Sequence, residues 1–380
     1  MNQKTALILS GGGARGAYQV GVLKGLSEIL PEKMKSPFDI LSGSSAGAIN
    51  CAHLATNMQH FSVAIEKLVY LWSQIKAEQV FKTDFLSLNK FSLGLLGEKK
   101  LNALLDTAPL RELISKNCDF TKIKKNLEAE FINSVIITAN NYDSSSAISF
   151  IQTKDQSHVF WRESRRKAVL AEINVDHVMA SSAIPMLFPP IEIESQHYGD
   201  GCVRNSTPCS PSIRMGAEKL FVIGVRTQLS TEVNHPMQSQ KKKAVSQQSP
   251  SMIKILNTLL NAVLLDSVEQ DVLRIQRINQ LAKLVKQSES QVSVEDKMGL
   301  KEIPALCISP SQDIGELARQ HAHHLPRLIR MTISAFGSLD EASEILSYLL
   351  FEPNFCKSLI EMGYQDALVN KESIQSFFNN

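Results

Sequence analysis

The sequence predicts an α/β fold with a largely parallel central sheet, and three observations carry that expectation. Short β-rich runs alternate with helical patterns, as crossover connections between parallel strands require. Two early strand-to-helix junctions are built from small residues, Ser10-Gly11-Gly12-Gly13 and Gly43-Ser44-Ser45-Ala46-Gly47. Apolar residues make up 43% of the 380 and charged residues 21%, ordinary for a globular chain with a sizeable core.

Thr5–Leu9 is the first strand candidate. Ala17–Leu30 comes next as a helix with Val22, Leu26, Ile29 and Leu30 on one face, and its Gly21 and Gly25 allow close packing against a neighbour. Phe38–Leu41 is the second strand, and Ala46–Leu54 opens on small residues, as a helix pressed against a sheet would. Further strands are predicted at Phe131–Ala139, Ala147–Gln152, Ile191–Tyr198, Leu220–Arg226 and Ala305–Ser309. Residues 228–250 are polar, with Lys241-Lys242-Lys243 and Pro250, and read as an exposed, mobile loop. Met252–Leu265, Val268–Lys286 and the tail from Glu316 carry helical patterns. The expected organisation is a core over 1–227, the loop over 228–250, and a mainly helical C-terminal extension over 251–380. That extension packs on the core and returns one strand near 305–309.

A net charge of +2 and no basic tract interleaved with aromatics argue against a nucleic-acid partner. The cysteines at 51, 118, 202, 209, 307 and 356 form no C-x-x-C pair, which suggests reduced thiols rather than disulfides or a zinc site. The apolar run Ala6–Leu9 is too short for a secretory signal, and no apolar segment approaches the roughly 20 residues needed to span a bilayer. A soluble, cytoplasmic protein is expected, with any membrane contact peripheral, at the inner surface.

Ser10-Gly11-Gly12-Gly13-Ala14-Arg15-Gly16 lies between a strand and a helix. Glycines bring backbone N–H groups close to a ligand, and at a helix N-terminus those groups suit an anion. One reading is a dinucleotide pyrophosphate site, since Gly11, Gly13 and Gly16 fit G-x-G-x-x-G. The other is an oxyanion hole for acyl transfer. The dinucleotide reading wants an acidic residue at the end of the second strand. Asp39 stands instead at its start, and the strand runs out into Gly43-Ser44-Ser45-Ala46-Gly47.

That pentapeptide has the strand–turn–helix context of a nucleophile elbow, in which Ser45 sits on a strained turn between near side-chain-free neighbours. A serine hydroxyl needs a base to take its proton. Tyr198-Gly199-Asp200-Gly201-Cys202 comes after a strand candidate and offers a carboxylate, although Asp-Gly is foremost a turn signal.

Taken together and in this order, the three motifs resemble those of the patatin-like phospholipases. The resemblance spans about residues 5–227 and extends to Ala180-Ser181-Ser182-Ala183-Ile184-Pro185, Phe188-Pro189-Pro190 and Asn205-Ser206-Thr207-Pro208. It implies a three-layer sandwich, helices flanking the mostly parallel sheet, and a lipid acyl hydrolase of phospholipase A or lysophospholipase type. A histidine-free Ser–Asp dyad would act there without metal or cofactor. By that resemblance Ser45 is the nucleophile, flanked by Gly43 and Gly47, and Asp200 is the base, followed by Gly201. Gly11, Gly12, Gly13, Ala14, Arg15 and Gly16 form the oxyanion loop. Cys202 departs from the family, which usually carries Gly or Ala there.

Arg15 either orients that loop, meets a lipid phosphate or is solvated at the surface. His321, His323 and His324 are dense enough to suggest a metal, but no acidic or thiol partner stands at ligand spacing, and a solvated surface is the simpler reading. His53 and His197 flank the motifs as candidate local hydrogen-bond partners, and a Ser–His–Asp esterase, with its histidine unassigned, is the alternative within the enzyme class. Met252–Leu265 carries Ile253, Leu256, Leu259, Leu260, Val263 and Leu264 at helical spacing, for core packing or for an interfacial lid.

Overall fold

The computed structural model describes residues 3–31, 36–82, 103–163, 165–227, 251–264, 267–287, 301–336, 338 and 340–379. The loop expected at 228–250 lies outside them.

The chain begins with β1 (Thr5–Leu9), crosses through α1 (Gly16–Ile29), and returns as β2 (Ile40–Gly43), parallel to β1. Helices α2 (Ala46–Asn57), α3 (Phe61–Gln74), α4 (Ala108–Asn117) and α5 (Thr121–Glu128) lead to β3 (Ser134–Asn141), parallel to β2. β4 (Ser146–Thr153) returns antiparallel, and β5 (Arg162–Glu163) and β6 (Arg166–Leu170) finish that edge. Next come α6 (Val175–Ser181), the hairpin β7 (Ile191–Ile193) and β8 (Gln196–Asp200), α7 (Ser210–Arg214), and β9 (Lys219–Ile223), which pairs in parallel with the free side of β1. α8 (Met252–Leu264) and α9 (Ser267–Gln287) precede β10 (Ala305–Ile308), parallel to β9. The described chain ends in helices: α10 (Ile314–His321), α11 (Arg327–Phe336), α12 (Ser343–Leu349), α13 (Pro353–Val369) and α14 (Lys371–Asn379). Among the described residues the sheet has ten strands, in the order β10-β9-β1-β2-β3-β4-β6-β5, with β8 joining through β3 and β7 through β8.

Period-two alternation sorts side chains between two cores, which makes the layers. Leu7 and Leu9 of β1, with Phe221 and Ile223 of β9, enter the larger core, shared with α1, α2, α3 and α13. Ala6, Ile8, Leu220 and Val222 enter the other, closed by Val268, Val272 and Ile275 of α9. The neighbour that Gly21 anticipates is α13, from the far end of the chain. A Cβ on Gly21 would lie 2.0 Å from the Ile360 carbonyl oxygen, and one on Gly363 would lie 2.2 Å from that of Tyr18. Tyr18 Oη seals the crossing by donating to Asp366 Oδ2 at 2.9 Å.

The strand predicted at Ile191–Tyr198 is in fact a hairpin, because Glu194 and Ser195 take φ of 50° and 61° and turn the chain back. Consecutive positive φ values suit the twist of a tight hairpin, and here non-glycine residues carry them. The edge strands β5 and β6 went unanticipated, since Arg162–Leu170 is too charged to alternate.

Register at β3 brings two strand ends together. β4 occupies one edge of β3 throughout. On the other edge β2 pairs with Ser134–Ile137, while β8 runs the opposite way and pairs with Ala139–Asn141. The C-terminal ends of β2 and β8 therefore point at one another across a short gap. Ser45 lies just beyond the first and Asp200 ends the second.

Candidate active site

Ser45 occupies the turn between β2 and α2 at φ 54°, ψ −128°, a conformation that side chains other than glycine rarely adopt. The turn is this sharp because both flanks lack side chains. A Cβ on Gly47 would sit 2.2 Å from the Leu9 carbonyl oxygen, and one on Gly43 would sit 2.4 Å from that of Gly47. The strained backbone is pinned from α6: Ser45 N donates to Ser181 Oγ at 3.0 Å, Ser181 Oγ donates to Thr138 O at 2.6 Å, and Ser182 Oγ donates to Ser45 O at 3.1 Å. The Ser45 hydroxyl makes no capping bond to α2, so no structural task occupies it.

Asp200 is fully buried, and Cys202 N donates to its Oδ1 at 2.9 Å. Oδ2 is buried without a hydrogen-bond partner. Burial pushes the carboxyl up to about 6, against the Ser45 hydroxyl and the Cys202 N–H, which both favour its ionised form. A carboxylate tuned this way is a better base than one in water and is still ionised at neutral pH.

The glycine loop faces this pair. A Cβ on Gly11 would meet Cys202 Sγ at 2.4 Å and Ser45 Cβ at 2.6 Å, so loop, elbow and base turn touch. Within the loop the Arg15 N–H donates to Gly12 O and the Gly16 N–H turns back to Gly13 and Ala14. Among the described residues no backbone carbonyl takes the N–H of Gly12 or Gly13. A buried chain of hydrogen bonds fixes the loop from behind: Gln19 donates to Ser10 O, Asn50 to Gln19 Oε1, and Trp72 Nε1 to Asn50 Oδ1. Beside Ser45 opens a narrow, apolar pocket walled by Ile49, Trp72, Leu110, Ile184, Phe188 and Phe351.

The profile of the patatin-like phospholipases matches residues 7–213, more than half of the chain. The chain belongs to this family. It is 28% identical over 202 residues to a protein of Pseudomonas aeruginosa (strain BWHPSA011 / Pa011) described as a cGAMP-activated phospholipase, covering 53% of each. A probable lipid hydrolase, 463L, of Invertebrate iridescent virus 6 is 25% identical over 232 residues, 59% of this chain and 70% of that one. The chain thus spans about half the length of the first of these relatives. The crystal structure of VipD from Legionella pneumophila covers 98% of this chain and 67% of its own at 11% identity, with a TM-score of 0.35. That likeness is too loose to add to the family match.

Of the three readings of Arg15, the structure agrees with the first, in which it orients the loop. Its side chain neither reaches into the site nor meets solvent. It is buried, ion-paired with Glu344, donating from Nε to Ser347 Oγ at 2.7 Å and from Nη1 to Val225 O at 3.2 Å. α12 thereby clamps the loop, and Gly13, at φ 57°, lies where a Cβ would be 2.3 Å from the Tyr348 carbonyl oxygen. Sequence reasoning missed Glu344, Ser347, Tyr348 and Phe351, since no local pattern ties residues so distant. Ser181 and Ser182 stood in a recognised motif, but with no role attached.

Cys202 packs under the loop, 3.5 Å from Ser44 Oγ. Burial, and then the Asp200 carboxylate, hold its thiol well above the ordinary range, so it stays protonated and slow to oxidise. Asp39 accepts from Thr5 N at 2.8 Å, at the end of the sheet opposite the glycine loop, where it has no path to a bound ribose. Among the described residues no histidine hydrogen-bonds Ser45. His53 is buried in the pocket wall, where loss of hydration pushes it down to about 4, and His197 is exposed on the hairpin. No described helix is long and apolar enough to cross a membrane.

Proposed function

We propose that this chain is a lipid acyl hydrolase in which Ser45 is the nucleophile and Asp200 its base. The observation that carries the reading is the meeting of a strained, otherwise unemployed serine with a buried, pKa-raised carboxylate at the mouth of an apolar pocket. In this mechanism Asp200 takes the Ser45 proton as Oγ attacks the ester carbonyl. Backbone N–H groups of Gly12 and Gly13 receive the oxyanion, each such donor being worth about 10²–10³ in rate. The alcohol leaves with the proton from Asp200, and a water activated by the same carboxylate releases the fatty acid. An acyl chain is chemically suited to the apolar lining of this pocket, where no Lys or Arg stands among the described residues to receive a phosphate.

Fatty-acid release from a panel of phospholipid, lysophospholipid, triacylglycerol and short-chain ester tests the reading. Turnover of the phospholipid or lysophospholipid is expected to exceed that of the others. No release from any of them would sink it.

Membrane contact, on this proposal, runs through α8. That helix lies against the turn Gly201–Val203 behind Asp200 and is tied to α12 by Ile345 N, which donates to Asn257 Oδ1 at 3.1 Å. It buries Ile253 but leaves Met252, Ile255 and Leu259 exposed. Such an edge suits the boundary between headgroups and acyl chains. Ile255→Ser with Leu259→Ser is expected to lower activity on vesicles about tenfold, from lost apolar insertion, and to spare a monomeric short-chain ester. Equal loss on both substrates would reject the interfacial role.

A further inference from the structure

We propose that His321, His324 and Glu352 form a site for one divalent transition-metal ion of the zinc class, outside the Ser45–Asp200 site. The sequence sets the two histidines apart from any acidic partner. The fold supplies one, because the turn after α10 packs against the residue that begins α13. One ligand atom from each of the three lies within 4.8 Å of the others.

The arrangement has the marks of a ligand set rather than of a hydrogen-bonded cluster. His321 Nδ1 and Glu352 Oε2 are 3.9 Å apart, too far for a hydrogen bond and near the separation that two ligands of one small cation adopt. Both are partly buried, while His324 is exposed. The carboxylate is already oriented: Phe355 N donates to Oε2 at 2.8 Å and Asn354 Nδ2 donates to Oε1 at 3.1 Å, leaving a lone pair on each oxygen. The His321 ring is steadied on Phe355, with ring centres 5.8 Å apart. Such outer contacts are what aligns ligands at a metal. Two imidazoles and one carboxylate favour zinc, cobalt, nickel or copper over magnesium or calcium, and three protein ligands leave a fourth position for water. The C-terminal end of α10 favours a cation there, and Glu352 offsets the positive end of α13.

The site has a reach beyond itself. Glu352 is the next residue after Phe351, whose ring stacks on Trp72 at 6.3 Å and walls the apolar pocket. A bound ion would hold α10 to the start of α13 and so fix that wall.

Calorimetric titration of the full chain, free of any affinity tag and stripped by chelator, with Zn²⁺ alone tests this. One saturable Zn²⁺ per chain is expected, with no displacement by excess Mg²⁺. His324→Ala and Glu352→Gln are each expected to weaken binding at least about tenfold, whereas His323→Ala, on the neighbour outside the set, leaves it unchanged. Thermal unfolding followed with and without Zn²⁺ gives a second readout: the metal raises the midpoint of the wild type and of H323A by equal amounts, and that of E352Q by less. Absence of saturable binding overturns the proposal. So does dependence on His323 equal to that on His324, or binding indifferent to Glu352→Gln, since either means surface chelation by adjacent histidines.

Discussion

Replacing Ser45 by alanine is expected to lower kcat for lipid ester hydrolysis by about 10⁴-fold or more while leaving the fold intact. The two halves of this expectation rest on different observations. Activity falls because the oxygen that would attack the ester is gone, and the neighbouring hydroxyls are engaged: Ser44 Oγ lies against Cys202 Sγ, Ser181 Oγ donates to Thr138 O and Ser182 Oγ to Ser45 O. Stability holds because the Ser45 hydroxyl caps nothing, and because alanine tolerates φ 54° no worse than serine does. The pinning bonds from Ser181 and Ser182 go to its backbone and survive. The melting temperature is therefore expected to match the wild type, within about 0.5 kcal/mol of stability. Hydrolysis retained at more than a few per cent of the wild-type rate would move the nucleophile elsewhere.

Asp200→Asn is expected to do two opposite things: cut kcat by about 10²–10⁴ and make the protein more stable at neutral pH. The unfolded carboxyl titrates near 3.8 and the folded one at about 6, raised chiefly by burial. Between those values the folded chain binds the extra proton, so stability declines as pH rises through the window. Above it the buried charge costs about 3 kcal/mol. Asparagine carries no charge to desolvate, and its amide N–H₂ replaces an oxygen that has no partner. The variant is expected to exceed the wild type by up to about 3 kcal/mol in urea unfolding at pH 7.5, and to converge with it below pH 4. The same titration predicts that wild-type kcat/KM falls about tenfold per unit below pH 6, as the base takes up its proton. A stability difference that did not change with pH would dissociate the carboxylate from this role.

What the sequence disclosed was whatever is written locally. Strand–helix alternation marked β1, α1, β2 and α2, and the glycines around Ser45 marked the elbow, because a strained turn excludes side chains at fixed offsets. From its own residues Asp200 reads as a turn, for an Asp-Gly pair states one, and only the family resemblance set it beside Ser45. Only the antiparallel docking of β8 on β3 brings its carboxylate to Ser45. Where backbone rather than side-chain pattern decides, the signal fails: Glu194 and Ser195 turn a hairpin without glycine, and charged Arg162–Leu170 pairs as an edge. Long-range partners leave no trace at all. Arg15 could be read as orienting the loop, meeting a phosphate or lying in solvent, and nothing near it announces Glu344.

That ion pair joins residues 329 positions apart. It bears on how the protein is born. A nascent chain that has left the ribosome as far as residue 300 already holds Ser45, Asp200 and the glycines. It lacks Glu344 and Ser347 to hold Arg15, Tyr348 against Gly13 and Phe351 to wall the pocket. On the proposed function, lipid hydrolysis by the unfinished polypeptide is expected to await the synthesis of residues 343–351.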